Sequence, residues 1–220
     1  KAGLSVGEVD SITGPLIGRA KSATFRTLDV VGLDTFYHVA GNVYEQVEGK
    51  EKEVFKIPAF LKSMVEKGWL GSKSGQGFFL KKGKEILELD PNTLEYGPLK
   101  KLSSPAVELA KQEKGTANKL KALVYTNDKA GQFLWKTFTE SFIYSAQLLG
   151  VIADDIVAID RAMKWGFGWE MGPFEAWDAI GVEKSVQKLK SCGVEIPTWI
   201  TDMLGKGHTS FYLEENGEQF

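Results

Sequence analysis

The chain has 220 residues, 43% of them hydrophobic and 25% charged, and its 27 basic and 29 acidic side chains leave a formal net charge of −2. That balance excludes a globally disordered or fibrous chain and gives no electrostatic ground for nucleic-acid binding. No apolar run reaches the about 18 residues that a membrane helix needs. The single cysteine, Cys192, can form neither an intrachain disulfide nor a cysteine cluster for zinc, so a reducing, cytoplasmic setting is expected.

In chain order, Ser5 and Glu8 have the spacing of a capping box, and the helix they open should end near Gly14-Pro15. Asp34 is placed to cap a second helix running to about Val47. Pro58 suits the first turn of a third, with Phe60, Leu61, Met64 and Val65 on one face and Gly68 as its stop. From Gly75 the pattern turns extended, through Phe78-Phe79-Leu80 and Glu85–Leu89, with a turn at Asp90-Pro91-Asn92. Residues 83–103 hold Gly83, Pro91, Gly97 and Pro98 and read as part of a connector, after which Ser104-Pro105 starts another helix. The longest helix should run from about Asp128 to Leu149, with Leu134, Phe138, Phe142, Ser145 and Leu149 on one face. Shorter helices are expected over Asp154–Lys164, Pro173–Ile180, Glu183–Lys190 and Pro197–Leu204. Phe211-Tyr212-Leu213 with Asn216-Gly217 suggests a terminal hairpin. The opening Lys1-Ala2-Gly3 lacks an initiator Met, and the chain reads as internal to something longer.

The second half repeats the first. Phe25, Asp29 and Gly32 recur as Phe174, Asp178 and Gly181, and Asp10 pairs with Asp160. Ile57-Pro58, Met64 and Lys67-Gly68 recur in register as Ile196-Pro197, Met203 and Lys206-Gly207. Gly77-Phe78-Phe79 matches Ser210-Phe211-Tyr212. The expected organisation is mainly α: one helical bundle with a β-flap over residues 1–82, a connector over 83–127, and a second such bundle over 128–220. In the first copy the counterpart of helix 128–149 would lie before Lys1.

Chemistry-bearing motifs are scarce. No strand–Gly-x-Gly-x-x-Gly–helix unit, phosphate loop or His-Glu-x-x-His occurs. His38 and His208 are the only histidines, neither with a sequence partner. Asp154-Asp155 supplies negative charge at a helix N-terminus. Because Asp29 and Asp178 occur in both copies, they suit a shared capping or hydrogen-bonding role better than catalysis. One segment stands out: Met163-Lys164-Trp165-Gly166-Phe167-Gly168-Trp169-Glu170-Met171-Gly172-Pro173-Phe174-Glu175 combines glycines with large apolar side chains. It fits either an apolar pocket wall or a tight helix–helix turn.

Gly-x-Gly-x-x-Met-Gly-Pro-Phe-Glu-x-x-Asp-x-x-Gly over 166–181 resembles the C-terminal-domain motif of the 3-hydroxyacyl-CoA dehydrogenases. Gly14–Asp34 and the flap Lys73-Ser74-Gly75-Gln76-Gly77-Phe78-Phe79 are similar to the same family's pattern. The resemblance implies a helical fold like the second domain of 6-phosphogluconate dehydrogenases, in tandem as in multifunctional β-oxidation enzymes. It implies a parent enzyme that converts (S)-3-hydroxyacyl-CoA to the 3-oxoacyl-CoA with NAD. The NAD domain and its catalytic His–Glu pair are not in this sequence, and the family's Asn-Arg is missing from Gly131-Gln132-Phe133-Leu134-Trp135-Lys136. No catalytic, cofactor-binding or metal residue is therefore assigned, and the chain alone is expected to be inactive. Trp165, and then Met171 and Phe174, are the candidate acyl-facing residues. The implied partners are acyl-CoA, the NAD-binding domain of the same polypeptide and an enoyl-CoA hydratase domain, with no nucleic acid and no membrane span. The competing reading is a non-catalytic helical module that binds acyl-CoA or docks a partner.

Overall fold

The structure, a computed structural model, describes residues 3–215, 218 and 219. It is mainly α, with eleven α-helices and five short strands among the described residues. The chain divides into two compact units, one built from residues 3–14 and 21–102, the other from residues 15–20 and 103 onward.

The first unit contains α1 (Val6–Ile12), α2 (Phe25–Val31), α3 (Leu33–Gln46), α4 (Ala59–Glu66) and an antiparallel meander of β1 (Phe79–Lys82), β2 (Glu85–Asp90) and β3 (Glu95–Pro98). The capping box forms as the sequence implies. Ser5 Oγ accepts from the Glu8 amide at 3.2 Å, and Glu8 accepts from the Ser5 amide at 2.8 Å. Leu80 faces Leu87 and Leu89 faces Tyr96 across the sheet. The core joins Val6, Leu33, Leu61, Met64, Phe78 and Leu89, with the Phe25 and Phe78 rings 4.6 Å apart.

Two local readings change. Asp34 does not cap α3: Gly32, at φ 100°, holds that position, and Asp34 sits in the first turn. There its carboxylate takes the Lys73 ammonium at 2.6 Å, which holds its pKa below the ordinary value. The Gly and Pro residues of 83–103 belong to the turns and edge of a meander rather than to a linker. Residues 83–102 accordingly fall in the first unit.

The second unit contains α5 (Pro105–Gln112), α6 (Thr116–Val124), α7 (Lys129–Leu148), α8 (Ile156–Phe167), α9 (Pro173–Ile180), α10 (Val182–Ser191) and α11 (Thr198–Gly205). Glu214–Glu215 (β4) pairs with Glu218–Gln219 (β5). The expected turn at Asn216-Gly217 lies outside the described residues. Leu134, Phe138, Phe142 and Ser145 of α7 are buried, as their spacing requires. Phe142 stacks on Trp177 at 5.1 Å, and Phe211 packs edge-on against Phe174 and Trp177. Asp128 and Asp155 cap α7 and α8 by accepting the Gly131 and Ala158 amides at 2.8 and 2.7 Å.

Candidate functional site

In each unit one aspartate supplies a helix cap that the local sequence lacks, and a second holds the extended segment that follows. Thr24 precedes α2 with no side-chain cap bond. Asp10, from α1, supplies the acceptor: Oδ1 takes the Phe25 amide at 2.7 Å and Oδ2 the Arg26 amide at 2.9 Å. Asp29, on α2, holds the flap by accepting the Phe78 and Phe79 amides at 2.8 and 2.9 Å. In the second unit Asp160 accepts the Phe174 and Glu175 amides, both at 2.9 Å, at the start of α9. Asp178 accepts the Phe211 and Tyr212 amides at 2.8 and 2.9 Å. The residues matched in the sequence thus make the same hydrogen bonds in both units. This is the hydrogen-bonding role expected of Asp29 and Asp178.

Burial outweighs these N–H donors electrostatically. It raises the pKa of Asp10, Asp29 and Asp160, and pushes Asp178 up to about 6. One difference between the units is that the Tyr212 hydroxyl donates to Asp160 Oδ2 at 2.9 Å. Its counterpart in the first unit is Phe79, which has no hydroxyl.

The structure does not gather the candidate residues of the 163–175 segment into one pocket. Trp165 is 78% exposed near the end of α8, with the Arg161 guanidinium 5.8 Å from its ring. Phe174 is fully buried in the aromatic core. Met171 borders a cavity of about 10 Å³, the size of one water, beside Arg19, Phe138 and Trp169. The Arg19 guanidinium lies 4.0 Å from the Trp169 ring, and burial lowers its pKa to about 10.

The larger apolar feature is in the first unit and was not singled out from the sequence. A groove of about 340 Å³ runs between α2, α3 and the segment Val54–Pro58, lined by Phe25, Leu28, Phe36, Val39, Val43 and Phe60 among others. Val39 stays 55% exposed and Val31, at the end of α2, 53%. Apolar surface of this kind on α2 and α3 is unusual for a face that meets only water. The second unit shows the covered equivalent. Leu28 corresponds to Trp177, on which Phe142 of α7 stacks, and Val31 to Ile180, which is 3% exposed. Val39 corresponds to Lys188, whose ammonium lies 4.0 Å from the Trp135 ring of α7. The sequence signal for the groove was the run of apolar residues on both faces of 25–43, wider than one buried stripe requires.

Residues 1–81 match the family model for the 3-hydroxyacyl-CoA dehydrogenase C-terminal domain. Across all 220 residues the chain is 64% identical to the "Probable 3-hydroxyacyl-CoA dehydrogenase" of Bacillus subtilis (strain 168), of which it covers 28%. Residues 1–81 belong to the 3-hydroxyacyl-CoA dehydrogenase C-terminal-domain family. A further relative of the same name, from Deinococcus radiodurans, is 48% identical over 81 residues, 37% of this chain and 23% of that protein. A "Putative fatty acid oxidation complex trifunctional enzyme" of Rickettsia felis is 26% identical over 173 residues, 76% of this chain and 22% of that protein. The chain thus spans about a quarter of the length of these relatives.

For this dehydrogenase-family region a nicotinamide dinucleotide is the implied cofactor, and the described residues do not fit it. The three longer strands form an antiparallel meander, and none feeds a glycine-rich turn into a helix. His38 and His208 are exposed, and among the described residues neither is hydrogen-bonded to a carboxylate. The described residues contain no group of His, Cys, Asp and Glu able to hold a metal ion, and no helix long and apolar enough to cross a membrane.

Proposed function

We propose that this chain is the helical C-terminal region of an NAD-dependent 3-hydroxyacyl-CoA dehydrogenase of fatty-acid β-oxidation, serving as cleft wall and packing platform rather than as catalyst. The observation that carries this reading is the open groove on α2 and α3, whose counterparts in the second unit lie beneath α7. The 64% identity over this chain's 220 residues to a protein named "Probable 3-hydroxyacyl-CoA dehydrogenase" supports it.

In physical terms, hydride transfer needs the substrate carbon held against the acceptor in a closed and largely dry cleft. Apolar helical surface supplies closure without introducing competing acids or bases. On this reading the dinucleotide, which takes the hydride, is held by another domain of the longer polypeptide, as is the proton-removing pair. The two units are copies of one ancestral bundle, and the groove of the first is seated against a helix equivalent to α7. The partners are acyl-CoA, the NAD-binding domain and an enoyl-CoA hydratase domain, in the cytoplasm. The trifunctional name of the Rickettsia felis relative accords with the last of these domains.

The test is NADH formation from (S)-3-hydroxybutyryl-CoA. The longer protein should turn it over, and the 220-residue chain by itself should not. Turnover by this chain alone, or none by the longer protein, overturns the proposal.

A further inference from the structure

In the second unit α8 is apolar on every side yet almost uncovered. Ile156, Val157, Ile159, Ala162, Met163 and Trp165 are spread around its axis, but Asp160 is its one buried residue. Ala158, Ala162 and Trp165 are exposed. A helix that is apolar all round belongs beneath other polypeptide.

Its counterpart in the first unit is covered. Asp10 matches Asp160, so Val6, Gly7 and Val9 of α1 match Ile156, Val157 and Ile159 of α8. The three α1 residues are buried, and their α8 counterparts are only half-buried. The cover on α1 comes from the meander and the residues after it. The Gly7 amide donates to Glu88 Oε2 at 2.6 Å, and the Leu102 amide donates to Ser11 Oγ at 3.0 Å. A Cβ on Gly7 would stand 2.5 Å from the Lys100 carbonyl oxygen and 2.6 Å from Leu99, so this stretch lies directly on the helix.

The second unit begins the same meander. Asp29 latches Phe78 and Phe79, as Asp178 latches Phe211 and Tyr212. In the first unit Lys81 then pairs with Ile86 and Lys82 with Glu85. In the second, Glu214 pairs with Gln219 and Glu215 with Glu218. The two hairpins share their register and their distance from the latch, so β5 occupies the place of the first residues of β2. Every residue that covers α1 from the meander side, Glu88 and Leu99–Leu102, lies beyond Ile86, the counterpart of Gln219.

We propose that the segment following Phe220 in the longer polypeptide completes a second meander and docks on α8 along Val157, Ala158 and Arg161, the counterparts of Gly7, Glu8 and Ser11. The Bacillus subtilis relative is longer than this chain, which covers 28% of it. Val157 fills the space that the Lys100 carbonyl takes over Gly7, so the docked segment rests on apolar side chains rather than on helix backbone. The docking needs the polypeptide to continue past Phe220 and does not depend on the dehydrogenase reading.

The test is site-specific photo-cross-linking in the longer protein, with p-benzoyl-phenylalanine in place of Ala158 or of Arg161, both exposed. Mass spectrometry should map the cross-linked peptide from both positions to the stretch directly after Phe220. The same probe at Lys190, exposed on α10, should give no link to that stretch. The amides of α8 should also exchange about tenfold more slowly in the longer protein than in the 220-residue chain. Cross-links that map to any other part of the polypeptide or to a second copy, no cross-link from either position, or identical exchange of α8 in the two proteins overturns the proposal. Neither readout uses substrate turnover, so its failure and that of the dehydrogenase reading are told apart.

Discussion

Asp160→Ala should destabilise the second unit by about 3 kcal/mol. The carboxylate is 1% exposed and accepts three donors: the Phe174 and Glu175 amides and the Tyr212 hydroxyl. Alanine leaves all three without an acceptor and leaves α9 without its cap, since Gly172 has no side chain to take that role. Asp160→Asn keeps one acceptor oxygen and should cost about 1–2 kcal/mol. Denaturant unfolding followed by the fluorescence of Trp177 and Trp199, both in this unit, reads the difference. Equal midpoints for wild type and Asp160→Ala would show that the latch does not hold the unit together.

Gly77→Ala should destabilise the first unit by about 2–4 kcal/mol. An added Cβ would stand 2.1 Å from Asp29 Oδ1 and 2.6 Å from the Gly71 Cα. Relief means moving either the backbone of Gly71 or the carboxylate that holds the Phe78 and Phe79 amides. Either movement uncouples the flap from α2. Gly97→Ala is the matched control, because its Cβ would meet nothing within 4 Å. Its effect should stay within about 0.5 kcal/mol. The comparison is read from thermal or denaturant unfolding of the two variants, and a neutral Gly77→Ala would contradict the close approach.

These two predictions concern features that were partly legible in the sequence. The recurrence of Asp10 and Asp29 as Asp160 and Asp178 was visible as spacing alone, and so was a shared hydrogen-bonding role for Asp29 and Asp178. What each oxygen holds was not visible, because the amides of Phe78 and Phe79 lie 49 and 50 residues from Asp29. Long-range capping of this kind has no local signal. The helix α2 was missed for the same reason: its own N-cap position makes no side-chain bond, and the cap comes from α1.

Residues with a local signal were read more closely. The Ser5–Glu8 capping box, the Ser104-Pro105 start and the buried face of α7 all follow from short spacings. Asp34 misled because an acidic residue in a first turn resembles a cap; the left-handed Gly32 before it makes the turn. Meander strands rich in Gly and Pro resemble a linker until their partners are known.

The site followed the same division. Large apolar side chains drew attention to Trp165, Met171 and Phe174, yet size does not distinguish core from surface. Phe174 is fully buried, and Trp165 stands in solvent. The groove on α2 and α3 is made of ordinary aliphatic residues, and what marks it is exposure, a property of the folded unit.

The central claim is that the apolar groove is a packing face for the rest of a larger dehydrogenase. Amide hydrogen exchange over Phe25–Val31 and Leu33–Gln46 tests it most directly, measured in the 220-residue chain and in the longer protein under the same conditions. If the face is covered in the longer protein, these two helices exchange more slowly there, by about tenfold or more, while Pro173–Ile180 is unchanged. Identical exchange of both helices in the two proteins would contradict the account.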